Sequence, residues 1–432
     1  MRHVAKTNYK PVQTLIAQQA AKFGDKPYMV SIDQSEKQLS FLNLFKLGNR
    51  MAHFFLERGL KANDRILLLA ENSIEFIATF LGVQRCGGTI ATANIEMNRI
   101  HISEILRAVN PVLVLVQEGL DLEKIQDKNM SVEWMSLGEW NPEGNSSGFF
   151  KLLEDYSDEG DIKEVCEPDD IAVIFYTSGT EAKPKGVLQA HSAVWPNYDA
   201  TADCVDLQET DRLVDCRSYS WLSSQNMSLG GPLARGATVY MAKKFSHSRY
   251  FDWIKKYQAN IAVAVPTILN MFLNEPVKVH GSEIPNLRFI MTSSAPMLTE
   301  NWVRFENHYG ILICQSAGCS EGGLMCSHSG TQRKIGTIGQ PLKYQNVRLL
   351  DENDKEVSDG EPGQIVVSGQ QKSWGYLHAD GRVENTEDVL KKGDITKVKL
   401  LSIDEKGRLR LSRKAALADL AQQGSPGTAE PA

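Results

Sequence analysis

No stretch of the 432 residues approaches the roughly 18 consecutive apolar positions of a membrane-crossing helix. The first residues, MRHVAKTNYKPVQ, lack the apolar core of a secretory leader. The sequence therefore predicts a soluble, cytoplasmic protein with no membrane span. Cysteine is sparse: seven residues, an odd number, scattered along the chain. The closest group, Cys314, Cys319 and Cys326 with His328 nearby, lacks the close C-x-x-C pairs of a zinc site. That pattern speaks against a disulfide framework and for free thiols in a reducing compartment. Positive charge is not in surplus. The 47 Lys and Arg against 53 Asp and Glu give a net charge of −6, which argues against bulk nucleic-acid binding, though not against a local basic patch. What is present is ordinary for a globular chain, with 42% hydrophobic and 23% charged residues. The length suits roughly two to four domains.

Periodicity divides the chain into alternating helices and strands. Helices are predicted over 11–23 and 41–57, the second capped by Ser40, with Gly59 just past its end. Further helices are predicted after Asn72 or Ser73, over 104–109, and from His191 to about Ala202. Strands are predicted over 27–33, 65–70, 89–93, 112–116 and 171–176. Residues 118–169 are polar and weakly periodic, and no element is predicted there. A second series follows, with strands over 238–242, 261–265 and 288–292 and helices over 248–257 and 267–273. Such β-α alternation predicts an α/β fold of two helix-covered sheets.

The apolar run IAVIFY (171–176) ends in Thr177, Ser178, Gly179, Thr180, Lys183, Lys185 and Gly186. Glycine lets backbone N–H groups approach anionic oxygens, hydroxyls donate further hydrogen bonds, and lysines add positive charge. This is a phosphate-binding composition without the Walker spacing. Read from composition alone, a lysine-bearing surface loop serves equally. The order YTSGTEAKPKGV followed by His191 resembles the signature loop of the adenylate-forming superfamily, which includes acyl-CoA synthetases, firefly luciferases and peptide-synthetase adenylation domains. Ala182 stands where that family usually has Gly, and Glu181 where it often has Thr or Ser.

The resemblance runs from about residue 10 to about residue 376. GLKANDRILLLAENSIEFIATFLGVQRCGGTIATAN is similar to the family's N-terminal part, with Asn63 in place of a usual Gly. MTSSAPM (291–297) resembles the Gly-Gly-Ala-Pro turn that lies against adenine, with Ser293 and Ser294 replacing the glycines. ILICQSAGCSEGG (311–323) resembles the Tyr-Gly-x-Thr-Glu motif, with Ala317 replacing the aromatic residue. Residues 334–370 resemble the family's small β-barrel subdomain, and 211–236 the segment beside the acyl pocket. In the latter, Tyr219 and Trp221 read either as core aromatics or as walls of an apolar pocket.

The resemblance implies ATP-dependent activation of a carboxylic acid to an acyl-adenylate and then an acyl-CoA. ATP, Mg²⁺ and coenzyme A would be its cofactors, and a small fatty or aromatic acid its substrate. It implies catalytic roles for Lys185 and Glu321. Phosphate contacts would come from Thr177, Ser178, Gly179, Thr180, Lys183 and Gly186. Adenine contacts would come from Ser294, Ala295, Pro296, Ala317, Gly318, Cys319 and Ser320. Glu321 with Thr180 would hold the metal. A lone carboxylate beside phosphate oxygens is the usual protein share of a Mg²⁺ site.

Residues 1–380 are thus expected to form the nucleotide-binding domain. In the remainder, Gly393-Asp394 is the one candidate for the family's ribose-binding motif, and the family's lysine-bearing C-terminal domain finds no counterpart. Impaired turnover is expected on that ground, with a non-catalytic nucleotide or acyl-adenylate binder as the alternative. Residues 381–417 instead resemble the end of the RNA-binding barrel of polynucleotide phosphorylase. Within them, 397–403 and 408–412 are predicted to pair as a hairpin, and the basic edge over 382–414 makes RNA a candidate partner. Residues 418–432 are low-complexity and expected to be disordered.

Overall fold

The computed structural model describes residues 4–33, 36–120, 125, 130–163, 165–176, 185–330, 332–378, 381, 383–385, 399–403 and 409–412. Two large sheets carry the fold. The first has eight strands in the order Val383–Asn385, Gly375–Leu377, Gly186–Ala190, Ile171–Tyr176, Thr89–Thr92, Arg65–Leu69, Leu113–Val116 and Glu133–Ser136. It is parallel from Ile171–Tyr176 to Glu133–Ser136, and its other three strands are antiparallel. The second sheet is parallel through Pro27–Ser31, Thr238–Met241, Arg212–Asp215, Ile261–Ala264, Phe289–Thr292 and Ile313–Cys319. Lys37–Ser40 closes one edge, and Gly323–Ser327 with Gln340–Pro341 closes the other, all antiparallel. Runs such as RILLL, LVLV and IAVA are buried almost throughout, as expected of parallel strands covered on both faces.

The helix Ile74–Arg85 explains how the sheets are joined. All twelve of its residues are buried, and it packs on strands of both sheets. Its charged residues are paired: Glu75 Oε1 lies 2.5 Å from Lys37 Nζ, and Arg85 Nε donates to Asn49 Oδ1 at 2.9 Å. Ser73 caps it, accepting from the Phe76 N–H at 3.0 Å. Ser40 caps Phe41–Glu57 in the same way. Asn98 caps the helix Arg99–Val109, which therefore starts five residues ahead of the predicted 104.

Asn72, the other cap candidate, does something else. Its Nδ2 donates to the carbonyls of Arg217 (2.7 Å) and Ala242 (3.3 Å), and its Oδ1 accepts from the Tyr219 N–H (2.8 Å). It ties the end of a strand in the first sheet to the ends of two strands in the second. The stretch 118–169 also departs from expectation, for it contains the strand Glu133–Ser136 and the helix Gly148–Leu153. The strand is a half-exposed edge held by pairing with Leu113–Val116, and the helix is seated by buried Phe149, Phe150 and Leu153. Neither is long enough to leave a periodic signal.

The expected small β unit is built from antiparallel strands. Gln345–Leu350 pairs with Gln364–Gly369 and follows the antiparallel edge of the second sheet. The fold is thus the α/β arrangement that the resemblance implies. Its first sheet takes in Val383–Asn385, past the boundary expected at 380. The predicted hairpin appears as Lys399–Ile403 paired with Leu409–Ser412. Residues 418–432 and Gly393-Asp394 lie outside the described residues. Among the described residues, no helix is long and apolar enough to cross a membrane.

Candidate functional site

Strands that run parallel end on one side of their sheet, and open α/β sheets bind ligands there. The predicted site segments sit at such ends. Phe289–Thr292 leads directly into Ser294, Ala295 and Pro296, and Ile313–Cys319 ends in Ala317, Gly318 and Cys319. The two strands are parallel neighbours, with Thr292 opposite Gln315. Gln315 binds the two segments together: its Nε2 donates to the Ala295 carbonyl at 3.4 Å and its Oε1 accepts from the Met297 N–H at 3.3 Å. The fold therefore brings both proposed adenine segments side by side.

Ser294 has φ 74, a left-handed conformation that residues with a Cβ rarely adopt. The backbone keeps the shape that a glycine would suit, although the side chain has changed. Asn63 repeats the pattern, with φ 64 where the family usually has Gly. Its amide earns the conformation locally, donating to Asp170 Oδ1 at 2.6 Å and accepting from the Ile171 N–H at 2.8 Å.

The predicted phosphate-binding segment joins two antiparallel neighbours, Ile171–Tyr176 and Gly186–Ala190, with Tyr176 opposite Gly186. Thr177, Ser178, Gly179, Thr180 and Lys183 lie outside the described residues. Lys185 is half-buried at the mouth of the return strand. Gly186 is packed against its neighbouring strand: a Cβ there would lie 2.9 Å from Ile174 Cγ2 and 3.1 Å from the Tyr176 ring. A side chain there would have to displace the Ile174 and Tyr176 side chains.

Glu321 follows Ile313–Cys319 in the tight turn to Gly323–Ser327. Tyr376 Oη donates to its Oε1 at 3.0 Å, and the Ser373 N–H donates to its carbonyl at 2.6 Å. Tyr376 belongs to Gly375–Leu377, which pairs with the return strand of the phosphate loop, Tyr376 opposite Val187. Tyr376 thus links the Glu321 turn of the second sheet to the strand Gly186–Ala190 of the first. Among the described residues, no three His, Cys, Asp or Glu side chains gather as a metal cluster. A metal bound at Glu321 would need oxygens from its ligand, which suits Mg²⁺ on a nucleotide triphosphate. Ser320 sits half-exposed beside it.

Tyr219 is fully buried in the main core, so of the two readings given to it the core reading holds, whereas Trp221 is half-buried. The segment that follows forms a π-helical turn, Gln225–Gly230, which no periodicity announces. Gln315 and Tyr376 are the residues that sequence reasoning passed over. Gln315 stands inside a quoted motif and Tyr376 at the end of the resemblance, but their partners lie 20 and 55 residues away.

The profile of the AMP-binding enzyme family matches residues 16–377. Sulfoacetate–CoA ligase of Cupriavidus necator is 26% identical over 377 residues, covering 86% of this chain and 72% of that protein. Indoleacetate–CoA ligase of Aromatoleum aromaticum is 26% identical over 83% of this chain and 71% of its own. Among solved structures, ATP-bound MatB from Rhodopseudomonas palustris superposes with a TM-score of 0.77 at 22% identity, over 92% of this chain and 78% of its own. The N-terminal domain of FACL13 from Mycobacterium tuberculosis gives 0.76 at 22% identity, over 93% of this chain and 99% of that one. Strand order, the paired site segments and a match spanning most of the sequence agree: the chain belongs to the AMP-binding enzyme family, and the relatives it matches are CoA ligases.

Proposed function

We propose that this protein activates a small carboxylic acid with ATP, forming an acyl-adenylate and pyrophosphate, and then passes the acyl group to coenzyme A. The observation that carries this reading is the junction of Glu321, Tyr376 and the return strand of the phosphate loop. In the first step a carboxylate oxygen attacks the α-phosphorus of ATP, and the bond to pyrophosphate breaks. In the second, the thiol of coenzyme A attacks the acyl carbon and AMP leaves. Thr177, Ser178, Gly179, Thr180, Lys183, Lys185 and Gly186 would hold the phosphates. Ser294, Ala295 and Pro296, with Ala317, Gly318, Cys319 and Ser320, would border adenine. Glu321 and Thr180 would hold Mg²⁺, which supplies positive charge to the phosphate oxygens when bound.

Relatives named for indoleacetate and 4-coumarate favour an aromatic acid as the substrate class. We assign no RNA-binding role to the C-terminal segment. Of its described strands, Val383–Asn385 joins the first sheet and the other two pair with each other, whereas an OB-type barrel needs five. The test is carboxylate-dependent exchange of pyrophosphate into ATP over short, long and aromatic acids. Exchange with one class is expected, and Glu321→Gln should lower its rate by about a hundredfold, in the range of a lost electrostatic stabiliser. ATP binding without exchange for any acid would leave a nucleotide-binding protein and end the enzymatic reading.

A further inference from the structure

Glu321 is the one proposed metal-binding side chain whose surroundings are described, and it is gripped from two directions. On one side, the segment 373–376 holds both its backbone and its carboxylate, through the Ser373 N–H and the Tyr376 phenol. On the other, buried amides support the turn that carries it. Gln345 Nε2 donates to the Gly322 carbonyl at 2.5 Å, and Gln371 Nε2 donates to the Leu324 carbonyl at 3.3 Å. Asn197 crowds Gly323 so closely that a Cβ there would lie 2.3 Å from its Oδ1. A turn clamped in this way has its direction set by the fold, leaving only the carboxylate torsion to be fixed.

From this arrangement, we infer that Tyr376 is a positioning residue that fixes the torsion of the Glu321 carboxylate for the metal–triphosphate. The inference rests on the reading of Glu321 given above. The phenol holds the carboxylate through Oε1, and Glu321 would then supply its negative charge to a bound metal from a fixed direction. Because Tyr376 lies opposite Val187, one residue past Gly186, the same strand sets the spacing between Glu321 and the phosphate loop. A hydrogen-bonding partner behind a metal ligand typically contributes about 10–100-fold to metal affinity or activity. The phenol is therefore specific to binding with metal and indifferent to binding without it.

The test measures ATP binding to the full chain by titration calorimetry, with Mg²⁺ and with EDTA in its place. Tyr376→Phe keeps the ring that packs against the core and removes only the donor. It is expected to weaken ATP binding about tenfold with Mg²⁺ and to leave binding in EDTA unchanged. Adding Tyr376→Phe to Glu321→Gln should cost nothing more with Mg²⁺, because orienting side chain 321 no longer matters once its metal-binding charge is gone. Equal weakening with and without Mg²⁺, or additive losses in the double variant, would mean a packing role and overturn the inference. Should Tyr376→Phe fold poorly, Tyr376→His, which returns a ring donor, must restore the preference for Mg²⁺ or the inference fails. Wild-type protein whose ATP affinity ignores Mg²⁺ would remove the metal role of Glu321 itself, and the inference with it.

Discussion

His191 opens the helix His191–Cys204 and is 2% exposed. Its Nε2 has no hydrogen-bond partner among the described residues, while the other side of the ring bonds the Gly87 backbone. Burial drives its pKa down to about 4, against the opposing pull of Asp170 and Gly87. A histidine in the unfolded chain titrates near about 6.5. Between the two values the unfolded chain binds a proton that the native protein does not. The stabilising contribution of neutral burial is therefore complete above pH 6.5 and is lost as pH falls towards 4, by about 3 kcal/mol in all. Urea midpoints at pH 7.5 and 5.0 test this: the wild type should lose stability across the interval, and His191→Gln should lose clearly less. Equal losses would place the acid sensitivity elsewhere. His191 was legible only as the end of a motif, since its charge state depends on neighbours 21 and 104 residues away in sequence (Asp170 and Gly87). Ser294 and Asn63 show the converse. Their identities depart from the family, yet their left-handed backbones keep what a glycine would supply.

Among the elements, the join between the sheets matters most. Asn72 makes three hydrogen bonds across it, all from a side chain that is 3% exposed. Asn72→Ala would leave the Tyr219 N–H and the Arg217 carbonyl buried without that partner. The expected cost is about 2–4 kcal/mol, since each orphaned buried group costs about 1–3. Asn72→Asp keeps the acceptor for Tyr219 but sets a buried carboxylate against the Arg217 and Ala242 carbonyls, and should lose at least as much. Chemical denaturation of both variants checks the order, and a loss below about 0.5 kcal/mol for alanine would show that water or a neighbour takes over. Strand and helix positions in both sheets were readable from apolar runs and caps. Asn72 was not, because a polar residue before a helix reads first as a cap, and only the second sheet reveals its other use. The edge strand Glu133–Ser136 was hidden for a related reason, being held by its neighbour's backbone rather than by its own pattern.

At the scale of the whole molecule, alternation of strand and helix made the two-sheet architecture legible, and the motif order made the family legible. The crossing of chain segments that assembles the site was not, for Glu321 meets Tyr376 only after two sheets and a small β unit have formed. The pairing also marks the edge of the first sheet among the described residues. Val383–Asn385 is the outermost strand of the first sheet, and the described strands beyond it pair only with each other. A chain ending at Asn385 should therefore melt within about 2 °C of the full chain by calorimetry. A fall of more than about 5 °C would mean that the C-terminal segment stabilises the sheets.

The distribution of sulfur has a practical side. Of the seven cysteines, four are buried and two half-buried, and Cys319 alone is exposed. It lies two residues before Glu321, where the Gly322 N–H approaches its sulfur at 3.2 Å. Its thiol is nevertheless pushed up to about 12, by desolvation of the sulfur and then by the Glu321 charge, so little of the reactive thiolate forms at neutral pH. Thiol reagents should therefore modify Cys319 slowly at neutral pH despite its exposure, and faster as the pH rises.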